Sequence, residues 1–451
     1  MTVFRAAYAW VSGDVAGGAD GIVADVDIVV DDGVISAVSP VVTETRADVE
    51  LPGVVLPGFA NAHSHAFHRA LRGRTHGDGG TFWTWRDRMY ELSAVLDPDR
   101  YHALACAVYG EMALAGVTCV GEFHYVHHAP GGTPYADPNA MGEALRAAAR
   151  EAGIRLTLLD TCYLAGGLTA DGHVPLNPEQ LRFGDGSAAA WGARVSALRG
   201  DATTRIGAAI HSVRAVPRDE IPTVIEVDET WPLHVHLSEQ TAENDACLAA
   251  YGLTPTAILD DAGALSSRTT AVHATHLTSG DVAALGRTAT YSCFCPTTER
   301  DLADGIGPAP ALAAAGSPLC LGSDQHAVID LLEEARGLEM HERLVSHRRG
   351  TFAAPALVDA LTVTGHRSLG WTDAGRIEPG MRADLVAVRL DTLRTAGSLP
   401  EQVLLSAYAS DVDTVVVDGD VVVAGGRHTR YDVATELHQS VTALWTEAAR
   451  P

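Results

Sequence analysis

The sequence predicts an α/β protein: a (β/α)8 TIM-like barrel with a small β-sandwich domain built from both chain ends. Three observations predict it. Apolar, β-branched stretches alternate with Ala-, Leu- and Arg-rich stretches through the middle of the chain, and strands that alternate with helices imply a parallel sheet. Short strand candidates with tight turns crowd the two ends. The candidate strands in the middle finish in histidines and carboxylates, and the C-terminal ends of barrel strands are where that fold keeps its chemistry.

Residues 1 to about 55 mix Val and Ile with Asp. Asp31-Asp32-Gly33 turns the chain from Ile22–Val30 into Val34–Val38. The tail repeats this texture: Ala383–Val388 reads as a strand, and Val415–Val417 with Asp418-Gly419-Asp420 and Val421–Val423 reads as a hairpin. A small β-domain of residues 1–55 plus 372–430 is therefore expected. The catalytic barrel is expected over 56–371, and a helix over 431–451. Within the barrel, strands are expected near 54–59, 117–123, 154–161, 205–210, 232–237, 269–273, 288–294 and 318–323. Helices such as Asp99–Ala115, Ala140–Glu151 and Thr254–Asp261 fall between them.

Composition narrows the function. A chain of 451 residues with 47% hydrophobic and 20% charged residues is an ordinary globular protein. Its net charge of -25 argues against a nucleic-acid partner, which would need a basic face, and disfavours anionic membranes. All 32 basic side chains are arginine. Schiff-base chemistry and the Walker phosphate loop, which both need lysine, are thereby excluded. The seven cysteines include no C-x-x-C pair and read as buried thiols of a cytoplasmic protein. No signal-peptide pattern opens the sequence, and no apolar run suggests a membrane span.

The strand ends define a constellation. Strand one runs into His63-Ser64-His65, whose alternate positions aim two imidazoles the same way. Strand two ends in Glu122-Phe123-His124-Tyr125 and strand four in His211-Ser212-Val213-Arg214. Strand five ends in His234-Val235-His236-Leu237-Ser238-Glu239, strand six in His273-Ala274-Thr275-His276 and strand eight in Gly322-Ser323-Asp324-Gln325-His326. A single buried histidine is usually structural, but this shared placement on one rim is not. His63, His65, His236 and Asp324 can hold a catalytic zinc, which keeps three or four protein ligands and a water. Asp324 can take a proton from that water. Glu239 can pass one to a leaving nitrogen, and His273 can stabilise charge at the carbon under attack. Together these parts suit metal-assisted hydrolysis of a carbon–nitrogen bond.

His63-Ser64-His65, His236-x-x-Glu239, His273 and Ser323-Asp324 resemble the amidohydrolase superfamily. The segment Gly375–Val386 resembles its return to the β-domain. The resemblance implies the metal ligands named above. Relatives that bridge two metals use a carboxylated lysine, and this chain has none, so one Zn2+ per subunit is expected (another divalent metal is possible), as in the deaminase branch. Within that branch Asn61–Phe67, Phe82–Arg86, Gly121–Tyr125 with His127-His128, Gly132–Tyr135, Cys295–Glu299 and Leu302–Ile306 resemble the formimidoylglutamate deiminase family. That resemblance implies hydrolysis of N-formimidoyl-L-glutamate, a dicarboxylate, to N-formyl-L-glutamate and ammonia. It implies substrate-binding roles for His68, Tyr125, His211 and Arg214, and the family expectation is a homodimer. Arg86 is a further candidate, with a surface ion pair as the alternative. His68 stands where the family commonly has Gln, and Gln325 where it often has Ser. The rival readings are a deaminase of guanine-like or other amidine substrates and a non-catalytic barrel scaffold.

Overall fold

The computed structural model describes residues 1–13, 21–41, 46–75 and 82–449, with the side chains of residues 82 and 83 left out; two positions of the Phe82–Arg86 segment and the last two of the expected C-terminal helix therefore lie outside the described side chains. Two eight-stranded sheets organise the chain. The outer sheet takes strands β1 (Thr2–Val11), β2 (Gly21–Asp31), β3 (Val34–Pro40) and β4 (Val49–Pro57) from the first segment. The barrel is built from β5 (Phe59–Ser64), β6 (Val117–His124), β7 (Arg155–Cys162), β10 (Thr204–Ile210), β11 (Leu233–Leu237), β12 (Thr269–His273), β13 (Tyr291–Phe294) and β14 (Leu319–Leu321). A two-stranded ribbon, β8 (Gly167–Thr169) and β9 (Gly172–Val174), follows β7. The tail returns β15 (Leu385–Val388), β16 (Val412–Val417), β17 (Asp420–Ala424) and β18 (Arg427–His428) to the outer sheet.

Each barrel strand runs parallel to its neighbours. A parallel bridge between Ser64 and Asp324 joins the two ends of the sheet. The expected (β/α)8 barrel is present, and its closure pairs Ser64, which lies between the predicted metal ligands His63 and His65, with the predicted ligand Asp324. Gly322 permits it: a Cβ there would lie 2.7 Å from His63 Cβ, closer than packed atoms allow.

The outer sheet runs β18-β17-β16-β15-β4-β1-β2-β3, so strands from both termini pair as expected. It is one continuous hydrogen-bonded sheet. The sheet folds back on itself, and the β2–β3 turn meets the β16–β17 turn, where a Cβ on Gly33 would lie 2.9 Å from the carbonyl oxygen of Asp418. Phe4, Ile28, Leu51, Leu385 and Val416 fill its own apolar core.

One strand assignment is corrected. The stretch near 54–59 is not the first barrel strand. Its apolar residues end β4, which pairs with β1 and β15 in the outer sheet. The barrel strand starts after the Pro57-Gly58 break and carries Ala60, Asn61 and Ala62 up to His63. Proline supplies no ladder donor. The Gly58 N–H donates instead to Asp384 O at 2.9 Å. A Cβ on Gly58 would lie 2.4 Å from Thr118 Oγ1, so glycine alone fits where the chain crosses between the sheets.

The helix Val433–Ala448 packs on the helix Pro98–Leu114, and its Trp445 indole N–H donates to Ala70 O at 2.8 Å. All seven cysteines are buried and free. Among the described residues, no helix is long and apolar enough to cross a membrane.

Candidate active site

The strand ends converge. His63 Nε2 lies 3.3 Å from Asp324 Oδ1, and His65 Nε2 lies 3.4 Å from the same oxygen. His236 Nε2 is 3.1 Å from His63 Nε2 and 3.4 Å from His65 Nε2. A tetrahedral zinc with bonds of about 2.0–2.1 Å separates its ligand atoms by about 3.3–3.4 Å. Four edges of the cluster thus match a metal tetrahedron. The proton positions agree. His65 Nδ1 faces the Phe123 carbonyl at 2.9 Å and His236 Nδ1 faces the His211 carbonyl at 2.8 Å. A carbonyl only accepts, so both rings carry their proton on Nδ1 and turn the Nε2 lone pair inward, as metal ligands do. Burial holds these rings neutral: His63 is pushed down to about 3, and His65 and His236 are also lowered. Lone pairs packed this closely repel one another unless a cation lies among them. The donor set therefore fits a divalent metal.

Backbone strain accompanies the convergence. Ser238, His273, Ala274, Asp324 and His326 all have positive φ, between 43° and 69°. L-residues pay for that conformation only where surrounding structure enforces it, which is common at functional sites.

The proton-carrying groups sit beside the cluster. His273 Nε2 lies 3.8 Å from Glu239 Oε1 and 3.8 Å from Asp324 Oδ2, and His273 Nδ1 lies 3.5 Å from Glu299 Oε1. Burial alone would lower His273, but Glu239, Glu299 and Asp324 outweigh it and raise it to about 10. Burial also opposes ionisation of Asp324, yet His63, His273 and His65 hold it well below the usual carboxylate range. Glu239 goes the other way, raised mainly by burial against the pull of His273 and Arg214.

A cavity opens above this floor, lined by His65, His68, Trp85, Arg86, Met89, Tyr90, Tyr125, Tyr163, Phe183, His211, Arg214, His236, Glu239, His273, Leu302 and Asp324. The structure brings every sequence-predicted site residue into this cavity or, for His63, into the cluster beneath it. Arg86 lies in the cavity wall with its guanidinium 5.7 Å from the Tyr90 ring centroid. Arg214 NH2 stands 3.7 Å from Glu239 Oε2, and its Nε stands 3.9 Å from Glu243 Oε2. His68 Nε2 meets the Tyr125 hydroxyl at 2.9 Å. Gln325 turns away from the cavity and donates to Asp301 Oδ2 at 2.8 Å, so of the two unusual positions only His68 faces the site. His124 lies outside it, packed against His127 beside Asp160, whose carboxylate is held by Arg194.

Sequence reasoning missed Tyr90, Tyr163, Gln180, Glu243 and the role of Glu299. Tyr163 directly follows the last residue of β7, so its position after a strand end was a usable signal. Tyr90 lies in the helix Phe82–Ala94 and Gln180 in a short 3-10 turn, where no barrel rule points.

The chain belongs to the amidohydrolase family, whose profile matches residues 54–422. It is a hydrolase acting on C–N bonds. It is 37% identical over 414 residues to formimidoylglutamate deiminase of Pseudomonas aeruginosa, covering 88% of this chain and 90% of that protein. It is 32% identical over 393 residues to 8-oxoguanine deaminase of the same organism, covering 84% of each. An amidohydrolase structure from Brucella melitensis superposes with a TM-score of 0.90 at 31% identity, over 99% of this chain and 100% of that one.

Proposed function

We propose that the protein hydrolyses N-formimidoyl-L-glutamate to N-formyl-L-glutamate and ammonia, a reaction of histidine degradation. The observation that carries this reading is the pair of guanidinium groups, Arg86 and Arg214, in the wall above the His/Asp cluster. In a chain of net charge -25, two local cations suit the two carboxylates of that substrate. The similarity to formimidoylglutamate deiminase supports the same choice.

His63, His65, His236 and Asp324 would hold one divalent ion, zinc by the nature of the donors. Bound there, it supplies Lewis acidity and lowers the pKa of water towards neutrality. The protein's own groups do the rest. Asp324, ionised and buried, accepts a proton from the attacking water. Glu239, whose burial favours the protonated form, delivers a proton to the nitrogen that leaves as ammonia. His273, oriented by Glu299, faces both carboxylates and donates towards charge that develops at the reacting carbon. Arg86, Arg214, Tyr125, His211 and His68 hold the two carboxylates so that the formimidoyl carbon lies over the cluster.

A second reading rests on the aromatic wall. Trp85, Tyr90, Tyr125, Tyr163 and Phe183 could stack on a flat ring, and 8-oxoguanine deaminase is a relative. A comparison of kcat/KM for N-formimidoyl-L-glutamate, its dicarboxamide and 8-oxoguanine decides between them. A preference for the dicarboxylate is expected, and a preference for the base would overturn the substrate assignment.

A further inference from the structure

Gln180 donates from Nε2 to the hydroxyls of Tyr90 at 3.1 Å and Tyr163 at 2.9 Å. Its amide cannot be turned round. The Asn177 backbone N–H donates to Gln180 Oε1 at 3.0 Å, while the Gly166 carbonyl faces Nε2 at 3.4 Å. A backbone N–H only donates and a carbonyl only accepts, so each end of the amide is assigned. An amide nitrogen does not accept. Both phenol oxygens are therefore acceptors towards Gln180, and each keeps its own O–H proton. Among the described residues neither proton has an acceptor, and both tyrosines line the cavity beside Arg86 and Arg214.

We infer that Gln180 turns the Tyr90 and Tyr163 hydroxyls into donors for a substrate carboxylate, which completes an all-donor cup with Arg86 and Arg214. This deepens the proposed function and rests on its dicarboxylate substrate. The ligand class follows from these four groups: the Tyr90 and Tyr163 hydroxyls and the Arg86 and Arg214 guanidiniums each present a donor to the cavity, so the group they receive together is an acceptor. Tyr90 and Tyr163 are substrate-binding residues, and Gln180 is the positioning residue behind them.

The test is calorimetric binding of glutarate, a dicarboxylate with no reacting carbon, to the metal-replete protein, together with kcat and KM for N-formimidoyl-L-glutamate. Gln180→Glu replaces the donor nitrogen with an acceptor oxygen of the same shape and draws both phenol protons away from the cavity. It should weaken glutarate binding roughly tenfold or more and raise KM in proportion, with kcat nearly unchanged. Gln180→Met, which removes the donor without adding charge, should have a smaller effect. Tyr90→Phe and Tyr163→Phe should each weaken glutarate by roughly tenfold, and they test the idea even if Gln180→Glu does not fold. Wild-type protein that ignores glutarate would overturn the inference, as would unchanged affinity in the tyrosine variants or in folded Gln180→Glu. Wild-type protein that binds glutarate through these residues yet releases no ammonia from N-formimidoyl-L-glutamate would overturn the substrate assignment and leave the cup in place.

Discussion

Asp324 touches both the metal cluster and the proton path, since its Oδ1 lies 3.3 Å from His63 and its Oδ2 lies 3.8 Å from His273. Asp324→Asn should therefore lose bound metal and turnover together. Glu239→Gln should lower kcat by about 10²-fold or more while metal content, read by atomic absorption, stays at the wild-type level; near-normal kcat would remove Glu239 from the proton path. Arg214→Met should raise KM about tenfold or more with a smaller change in kcat. Asp304 tests the burial of a carboxyl that feels Glu239 but holds neither metal nor substrate in this account. Its carboxyl accepts from Gln240 Nε2, has one oxygen without a partner, and is raised by burial to about 9. A carboxyl raised on folding binds its proton more tightly in the native state. Its stabilising contribution is thus complete below about pH 4 and is lost as pH rises towards 9. Asp304→Asn, neutral throughout, should flatten the pH dependence of Tm between pH 4 and 9 and exceed the wild type at pH 8. At this scale the ligand histidines, Glu239 and Arg214 were legible because they follow strand ends. Gln180 and Tyr90 were not, because only tertiary packing brings a 3-10 turn and a helix against the cavity.

At the scale of elements, the Pro57-Gly58 break decides which sheet each residue joins. The continuous apolar run Val54–Leu56 looks like a barrel strand because a fully buried strand has no period to read. The buried Ala60-Asn61-Ala62 stretch looks weaker than it is, since Asn61 is satisfied by Ser323, two residues past the end of β14, with Nδ2 2.7 Å from Ser323 Oγ. Such a partner, 262 positions away, is invisible to local pattern. Gly58→Ala should place a methyl group against Thr118 and Asp384, cost about 1–3 kcal/mol of stability, and lower activity through the tilt of the strand that carries His63. Equal Tm for variant and wild type would show that the crossing is looser than described.

Across the whole molecule, the base of the barrel is tied to the outer sheet by buried charge. Arg155, 1% exposed at the start of β7, donates to Asp384 and, at 2.9 Å, to Asp418 Oδ1, with its guanidinium 5.1 Å from the Trp371 ring centroid. Arg155→Met should leave the buried Asp384 carboxylate without its guanidinium partner and destabilise by about 3–5 kcal/mol. A double variant that also replaces Asp384 with Asn should recover part of that loss. The alternation of strands and helices made the barrel legible, and the β-rich ends made the outer sheet legible. That sheet's single continuous ladder was not, because register between distant strands leaves no local signature.

Ammonia release from N-formimidoyl-L-glutamate, measured on zinc-loaded and metal-stripped protein side by side, tests the central claim most directly. The account predicts metal-dependent release of one ammonia for each N-formyl-L-glutamate formed, restored when zinc is returned. No release by the metal-replete protein, or equal release by the stripped protein, would contradict it.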